Sequence, residues 1–435
     1  MTEKKRLGAN YRKLFVSTTI SNVGDGMSVI AYPWLASALT RNPLLIAGVA
    51  LVQRLPWLVF TLPAGVITDR VDRKKAMVTA DLTRFALTLV VALAVMSRQS
   101  SLPGVDEVAR VTGTSTGLYI MLLVATLLLG TAEVLRDNCG QTFMPSVVEP
   151  EQLEKANGRM WSAEFIANTF IGPPLGSLLL IVAFSLPFFV DAASFFAAAA
   201  LVWSIPGSFR VERPDDHVRA PWKTELAEGF RWLWSHDLLR SMAIILGFMN
   251  LASALSGSVL VLFAQEILVV GPLLFTIMSF GFAAGGIAGS NLAPWLSRRL
   301  GSGTCLAMTL GSSSLMAFVV GVSSWWPIVL LAFAGGTTLG STWNVITVSL
   351  RQTIIPPHLL GRVNSVYRFF AWGMMPIGAA VGGITVAVVS QLANRRIALR
   401  SAFFLDAVIY GCLFIVGRKR LTTEKLEAAR SAVAV

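Results

Sequence analysis

Long apolar runs dominate the chain, separated by short clusters of charged and turn-forming residues. Each run is about the ~20 helical residues needed to cross a bilayer's hydrocarbon core. Reading from one polar cluster to the next gives twelve helical spans, at 14–39, 44–68, 76–97, 116–141, 158–183, 186–205, 241–269, 273–296, 303–322, 326–350, 363–390 and 398–417. The fifth and sixth touch at 184–187. One polar stretch is longer, 207–240. Its second half puts Leu226, Phe230, Leu233 and Trp234 on one helical face, with Lys223, Glu228 and Arg231 elsewhere. That is the pattern of a helix lying in the membrane interface, with Trp at headgroup level. The stretch divides the chain into an N-terminal six-helix bundle (1–206), a cytoplasmic linker (207–240) and a C-terminal six-helix bundle with a cytoplasmic tail (241–435).

The two halves carry matching segments. QTFMP at 141–145 returns as QTIIP at 352–356, and FFVDA at 188–192 returns as FFLDA at 403–407. Asn157 and Gly176 return as Asn364 and Gly383. Each pair falls at the same place in its half, so the sequence predicts an all-α membrane protein of twelve transmembrane helices in two pseudo-symmetric six-helix bundles. Parallel repeats with a binding site between them are a recurring transporter layout.

Composition supports the membrane reading. Only 14% of residues are charged and 54% are hydrophobic, against about 25% charged in soluble chains. A net charge of +12 raises the question of nucleic acid, but its distribution answers it. Assigning loops alternately to the two sides places most of the 36 Lys and Arg on one side. The other side holds Arg41, Arg98, Arg110, Arg395, Arg396 and Arg400, and Arg54, Arg84 and Arg368 lie inside spans. This positive-inside bias puts both termini in the cytoplasm of a multi-pass protein of the plasma (inner) membrane. The bilayer, not nucleic acid, is the expected macroscopic partner. The basic start runs into an apolar stretch that contains Asp25 and continues to Leu39, so the first span is expected to be retained, not cleaved as a signal peptide.

The candidate chemistry is sparse. Cys139, Cys305 and Cys412 are isolated, and His217, His236 and His358 fall in loops. No spacing suggests a metal site or a disulfide framework, and no cofactor is expected. A phosphate-binding Gly-x4-Gly-Lys-Ser/Thr loop is also absent from the sequence, so an ion gradient, not ATP, is the expected energy source.

Charges inside the spans are costly, at least ~2.5–3.5 kcal/mol each, so each needs a partner, a wet cavity or a task. Asp25 lies near mid-depth of the first span, and Ser21, Asp25, Ser28 and Tyr32 share one helical face. Arg54 reaches similar depth from the other side, so Asp25 and Arg54 are expected within electrostatic reach of each other in at least one conformational state. The fourth span carries Gly130, Glu133, Asp137 and Gln141 on one stripe, with Arg136 beside it. The fifth carries Asn157, Trp161, Glu164 and Asn168. These two antiparallel helices can bring the stripes together, either as a proton-coupling group or as a permanent network. The proton-coupling candidates are therefore Asp25, Arg54, Glu133, Asp137 and Glu164. Asp81 and Arg84 read as a structural i,i+3 pair, and Asp191 and Asp406 as structural residues in peripheral spans. In the second half, polar positions at cavity-like spacing include Asn250, Asn344 and Arg368. With Tyr32 and Trp161 these are the substrate-cavity candidates.

Two motifs carry a resemblance. Residues 65–75, GVITDRVDRKK, place Gly65, Asp69, Arg70, Arg73 and Lys74 between the second and third spans. This resembles the signature loop of the major facilitator superfamily, with Asp72 where a second Gly is usual. The resemblance implies that these residues form a conformational latch on the cytoplasmic face. In the fifth span, Gly172, Pro173, Pro174 and Gly176 resemble the Gly-Pro-x-x-Gly signature of the superfamily's antiporting exporters. Ser177 replaces the usual final Gly, and Asn168 stands at an upstream Gly position. Small residues let helices pack closely and Pro lets a span bend, so these four are candidates for a hinge. With EVLRDNCGQTFMP and ANGRMWSAEF, the chain looks most like bacterial twelve-span exporters, the group that includes enterobactin exporters and macrolide or multidrug efflux carriers. The resemblance implies proton-driven export of a small apolar or amphipathic compound by alternating access, by a monomer. Import by a symporter and lipid transport on the same fold stay open, because direction and substrate are not written in a fold. A membrane-embedded enzyme would need a nucleophile with a base, or a metal cluster, and the spans offer neither.

Overall fold

The computed structural model describes residues 7–68, 71–105, 107–149, 152–209, 222–356 and 359–431. They form α1 (Ala9–Leu39), α2 (Pro43–Val59), α3 (Thr61–Thr68), α4 (Arg73–Ser97), α5 (Thr116–Phe143), α6 (Leu153–Ile166), α7 (Gly172–Val182), α8 (Leu186–Trp203), α9 (Trp222–Ser235), α10 (Asp237–Glu266), α11 (Pro272–Leu300), α12 (Ser302–Val322), α13 (Trp326–Ile354), α14 (Leu360–Leu392), α15 (Arg395–Arg420) and α16 (Thr423–Ser431). Among the described residues the only β pairing is an isolated bridge, Thr40 to Thr114. Ten helices, with α6 and α7 taken as one, are long and apolar enough to cross a membrane. Helix α1, with a polar stripe, and the interrupted α2–α3 pair account for the other two expected spans.

The second span breaks at Phe60, which the apolar pattern alone did not mark. Pro63 has no N–H to donate to the Val59 carbonyl, and its ring crowds that carbonyl, so the helix interrupts one turn upstream. The fifth span is also irregular. Between α6 and α7, residues Ala167–Ile171 form a π-helical turn, and the Gly172 N–H reaches back to the Ala167 carbonyl. Pro173 and Pro174 follow directly. Two successive residues without donors cannot continue an α ladder, and the wider turn relieves the ring–carbonyl clash.

The chain separates into two compact units. The first holds residues 1–41, 52–215 and 271–276, the second 42–51, 216–270 and 277–435. Within the first unit, α8 lies against α1 and α4, α4 also against α5, and α1 also against α7. The approach of α1 to α7 is close enough to require glycine. A Cβ on Gly172 would sit 2.6 Å from the Gly26 Cα, and one on Gly176 would sit 2.9 Å from the Met27 Cα. Ser177, the departure from the Gly signature, is fully buried. It donates to the Pro272 carbonyl at 3.1 Å and shares a hydrogen bond with Thr276 at 2.6 Å.

Within the second unit, α10 packs on α14 and α15, and α12 on α13 and α15. The linker helix α9 is fixed to α14. Leu233 is buried, Glu228 pairs with Arg362, and Phe230 stacks with Trp234 at 5.2 Å and with Phe370 at 6.3 Å. Phe230 and Trp234 remain about two-fifths exposed, at 43% and 41%. The Leu226 and Lys223 side chains lie outside the described residues.

Candidate functional site

The first unit encloses a cavity of about 170 Å3 lined from five helices. That is an order of magnitude more than the ~10–15 Å3 that admits one water. Asp25, Ser28 and Tyr32 enter from α1, Gln53 and Arg54 from α2, and Arg84 from α4. Gly130 and Glu133 come from α5 and Asp191 and Phe195 from α8, while Asn168 lies in the π turn.

Arg84 is the organising cation. Its side chain is only 3% exposed, and its guanidinium carbon lies over the Phe195 ring, 3.8 Å from the centroid. One arm of the guanidinium is ion-paired with Asp25. The other donates to Ser21 Oγ at 3.2 Å and faces Asp81 Oδ1 at 3.7 Å. Asp81 is fully buried and is shared with Arg136, whose Nε lies 3.5 Å away. Arg136 also donates to Thr18 Oγ1 at 3.1 Å. Asp25, Arg84, Asp81 and Arg136 thus form one chain of alternating charge from the cavity wall into the packed interior. Its cavity end is accessible, the Asp25 side chain keeping 29% of its surface exposed.

Asp191 faces the same cavity with different partners. Ser28 donates to its Oδ2 at 2.9 Å, and the Ser194 hydroxyl, bonded to the Asp191 backbone carbonyl at 2.7 Å, lies 3.4 Å from its Oδ1. It has no ion-pair partner among the described residues. Its approach to α1 depends on Gly24, where a Cβ would fall 2.1 Å from Asp191 Oδ1.

Asp25 is ion-paired with Arg84, while Arg54 lines the same cavity as Asp25 with no ion pair between them among the described residues. Asp191, expected to be structural and peripheral, is part of the cavity. The face shared by Ser21, Asp25, Ser28 and Tyr32 is the one turned toward Arg84, Asp191 and the cavity. Glu133 lies within electrostatic range of Asp25, Arg84 and Arg54, and Glu164 within range of Asp137 and Arg136. Neither Asp137 nor Glu164 lines the cavity. Of the substrate-cavity candidates, Tyr32 is buried in the wall, edge-on to Phe188 at 5.2 Å. Trp161 is 66% exposed and lies outside the wall. In the second unit, Asn250 donates to the Ala371 carbonyl at 2.8 Å, tying α10 to α14, and Asn344 is exposed. The Arg368 side chain lies outside the described residues.

The loop between the second and third spans is described in part. Gly65 lies in α3, and Asp69 and Arg70 fall outside the described residues. Asp72 caps α4, accepting from the Lys75 N–H at 3.1 Å, Ser208 Oγ at 2.8 Å and the Phe209 N–H at 3.1 Å. Burial pushes the Asp72 carboxyl up, but hydrogen bonds from Ser208 and from the N–H groups of Lys75, Phe209 and Lys74 outweigh it and hold the group below the usual carboxylate range. Arg73 donates to the Thr142 carbonyl at 2.8 Å at the end of α5, and Lys74 to the Ile205 carbonyl at 2.5 Å beyond α8. A residue that breaks the usual Gly pattern therefore fastens the turn to the chain after α8.

Comparison with known proteins now adds to the geometry. The family profile described as Major Facilitator Superfamily matches residues 14–379. The chain belongs to the Major Facilitator Superfamily. It is 26% identical over 399 residues to the multidrug efflux pump Tap of Mycolicibacterium fortuitum, covering 88% of this chain and 90% of that protein. It is 25% identical over 412 residues to the enterobactin exporter EntS of Citrobacter koseri, covering 93% and 91%. Among solved structures it resembles a mutant form of the nucleoside transporter NupG, with a TM-score of 0.70, 12% identity and 95% and 100% of the two chains covered. It also resembles an inward-facing bacterial homologue of the iron transporter ferroportin, with a TM-score of 0.68, 16% identity and 96% and 100% covered. At these identities the structures speak for the fold alone. This superfamily member is a multi-pass membrane transporter of small molecules and not an enzyme.

Proposed function

We propose that this transporter exports a small apolar or amphipathic compound, such as a drug, siderophore or metabolite, in exchange for protons. It works by alternating access as a monomer in the bacterial inner membrane, with both termini cytoplasmic. The likeness to an efflux pump and to a siderophore exporter supports export. The observation that carries proton coupling is the polar cavity in which Asp25, partly exposed, is paired with the buried Arg84. Protonating Asp25 from the cavity removes one of the two carboxylates that Arg84 is held between. A buried cation with fewer partners is less stable where it stands, so Arg84 shifts toward another partner and the packing around it follows. Proton binding thereby biases the conformational equilibrium, which is what coupling requires. Glu133 sets the field at the cavity, and Asp137 and Glu164 extend it toward α6.

In this reading residues 1–206 and 241–435 are the moving bundles and 207–240 connects them. Gly65, Asp69, Arg70, Arg73 and Lys74 latch the cytoplasmic side, and Gly172, Pro173, Pro174 and Gly176 with the π turn are the hinge of the fifth span. Trp161, Asn250, Asn344 and Arg368 are candidate substrate contacts. The test is substrate-dependent proton movement in vesicles holding the purified protein, screened over a panel of drugs and siderophores. Asp25→Asn is expected to abolish proton movement driven by substrate while leaving substrate binding measurable. Proton movement equal to wild type in Asp25→Asn would remove this residue from the mechanism.

A further inference from the structure

The coupling scheme leaves one cavity carboxyl unused. Asp191 is 2% exposed, touches the same water space as Asp25, and is held by two serine hydroxyls instead of a cation. A carboxylate buried this far is not left ionised without a partner unless its hydrogen bonds are exceptional. Two hydroxyls, one of them at 3.4 Å, are a weak set for a full negative charge. The titratable groups that share this cavity with it are Asp25 and Tyr32 from α1, Arg84 from α4, Glu133 from α5 and Arg54 from α2, with Asp81 of α4 behind Arg84. Helix α7, which also packs on α8, contributes no titratable group. Asp25 and Glu133 bring like charge to this wall, and Arg84, the buried cation of the cavity, is engaged with Asp25 and Asp81.

Arg84 is nonetheless close at hand. It rests on Phe195, which lies one helical turn from Asp191 on α8, so both side chains project from the same face. Arg84 and Asp191 line the same cavity, so turning the guanidinium about its own stem would carry it from Asp25 toward Asp191.

We propose that Asp191 is a second proton-carrying residue of this cavity, holding a proton while Arg84 is paired with Asp25 and releasing it when Arg84 turns to Asp191. The step is balanced: a proton enters the Asp25 carboxylate from cavity water, Arg84 keeps its charge and changes partner, and the Asp191 O–H gives its proton to water. The assignment rests on the coupling role of Asp25 proposed above and adds an exchange of protons between two carboxyls through one arginine. It also gives Gly24 a role, since any side chain there would push Asp191 out of the cavity wall.

The experiment is infrared difference spectroscopy of the full chain in liposomes across a pH titration, with no substrate added. It follows the carbonyl stretch of protonated carboxyl groups and its shift in D2O. Wild type is expected to show a component that Asp191→Asn lacks. Ser28→Ala keeps the carboxyl and the fold and is expected to keep that component with a displaced midpoint. Asp25→Asn is expected to remove it as well, because Arg84, freed from Asp25, ionises Asp191. A merely structural Asp191 would not respond to a change at Asp25. An Asp191→Asn spectrum identical to wild type overturns the assignment, and an unchanged component in Asp25→Asn overturns the exchange. Because no substrate is present, failure of transport in vesicles with these bands intact would count against export and not against this assignment.

Discussion

At the scale of single residues, the fork of Arg84 decides the site. One guanidinium offers five donors; here it hydrogen-bonds Ser21 and Asp25, lies in ion-pair range of Asp81 and sits over Phe195. Removing it strands Asp81, which has no exposed surface and keeps only Arg136. Breaking a buried pair from one side costs about 3–5 kcal/mol, a large share of a typical folding free energy of ~5–15 kcal/mol. Arg84→Ala is therefore expected to lower the thermal stability of the purified protein severely. Asp25→Asn is expected to cost much less, because its carboxyl already opens onto water. Arg84→Lys restores the charge but not the fork, so it should recover part of the loss. Thermal unfolding followed by size-exclusion chromatography checks the order. Arg84→Ala as stable as Asp25→Asn would mean that Asp81 is carried by other groups. The same fork explains what sequence spacing concealed. Spacing matches Arg84 to Asp81 three residues earlier and places Arg54 at the depth of Asp25, but it does not show which helix packs beside Arg84. An i,i+3 neighbour uses one arm of an arginine and leaves the other to whichever helix packs alongside.

At the scale of elements, the spans were legible because burial in hydrocarbon needs long apolar runs, and their limits agree with the helices to within a few residues over most of the chain. The breaks were less so. Pro63 and the pair Pro173-Pro174 mark interrupted hydrogen bonding, but whether a proline kinks, breaks or widens a helix depends on what packs against it. For Asp191 the misleading feature was the repeat. Its FFVDA segment matches FFLDA in the other half, which suggested a shared structural role. The available signal was Gly24, a small residue at Asp25's own depth that leaves room for a neighbour's side chain. In the fifth span, packing and hinge roles separate by residue. Gly172→Ala places a methyl 2.6 Å from the Gly26 Cα, where only backbone can yield, and overpacking of that kind costs about 1–3 kcal/mol. Pro173→Ala returns a donor and removes a ring, so it favours a regular helix. Gly172→Ala is expected to lower stability and activity together. Pro173→Ala is expected to keep or raise stability while slowing substrate flux in vesicles. If Pro173→Ala transports at the wild-type rate, the π turn is packing geometry and not a hinge.

At the scale of the whole molecule, the two repeats have diverged in their electrostatics while keeping their helical plan. Among the described residues, the buried charged side chains of the first unit are Asp81, Arg84, Arg136 and Asp191, whereas the second unit has Asp406 alone. Asp406 stands at the repeat position of Asp191 but has no Arg84 equivalent beside it among the described residues. Thr347 occupies the position that Arg136 holds in the first half, reckoned from the QTFMP and QTIIP segments. A carboxyl with no cation to exchange has nothing to switch against, so proton exchange is expected to be confined to the first unit. The prediction is that Asp406→Asn, nearly isosteric and able to keep its Ser256 contact, leaves substrate-driven proton movement in vesicles within about twofold of wild type, a difference under ~0.5 kcal/mol in activation terms. Asp25→Asn and Asp191→Asn should each lower it by well over an order of magnitude. Equal losses at Asp406 and Asp191 would place coupling on the symmetry of the repeats, and the arginine exchange would then be a local detail of the first unit instead of its engine.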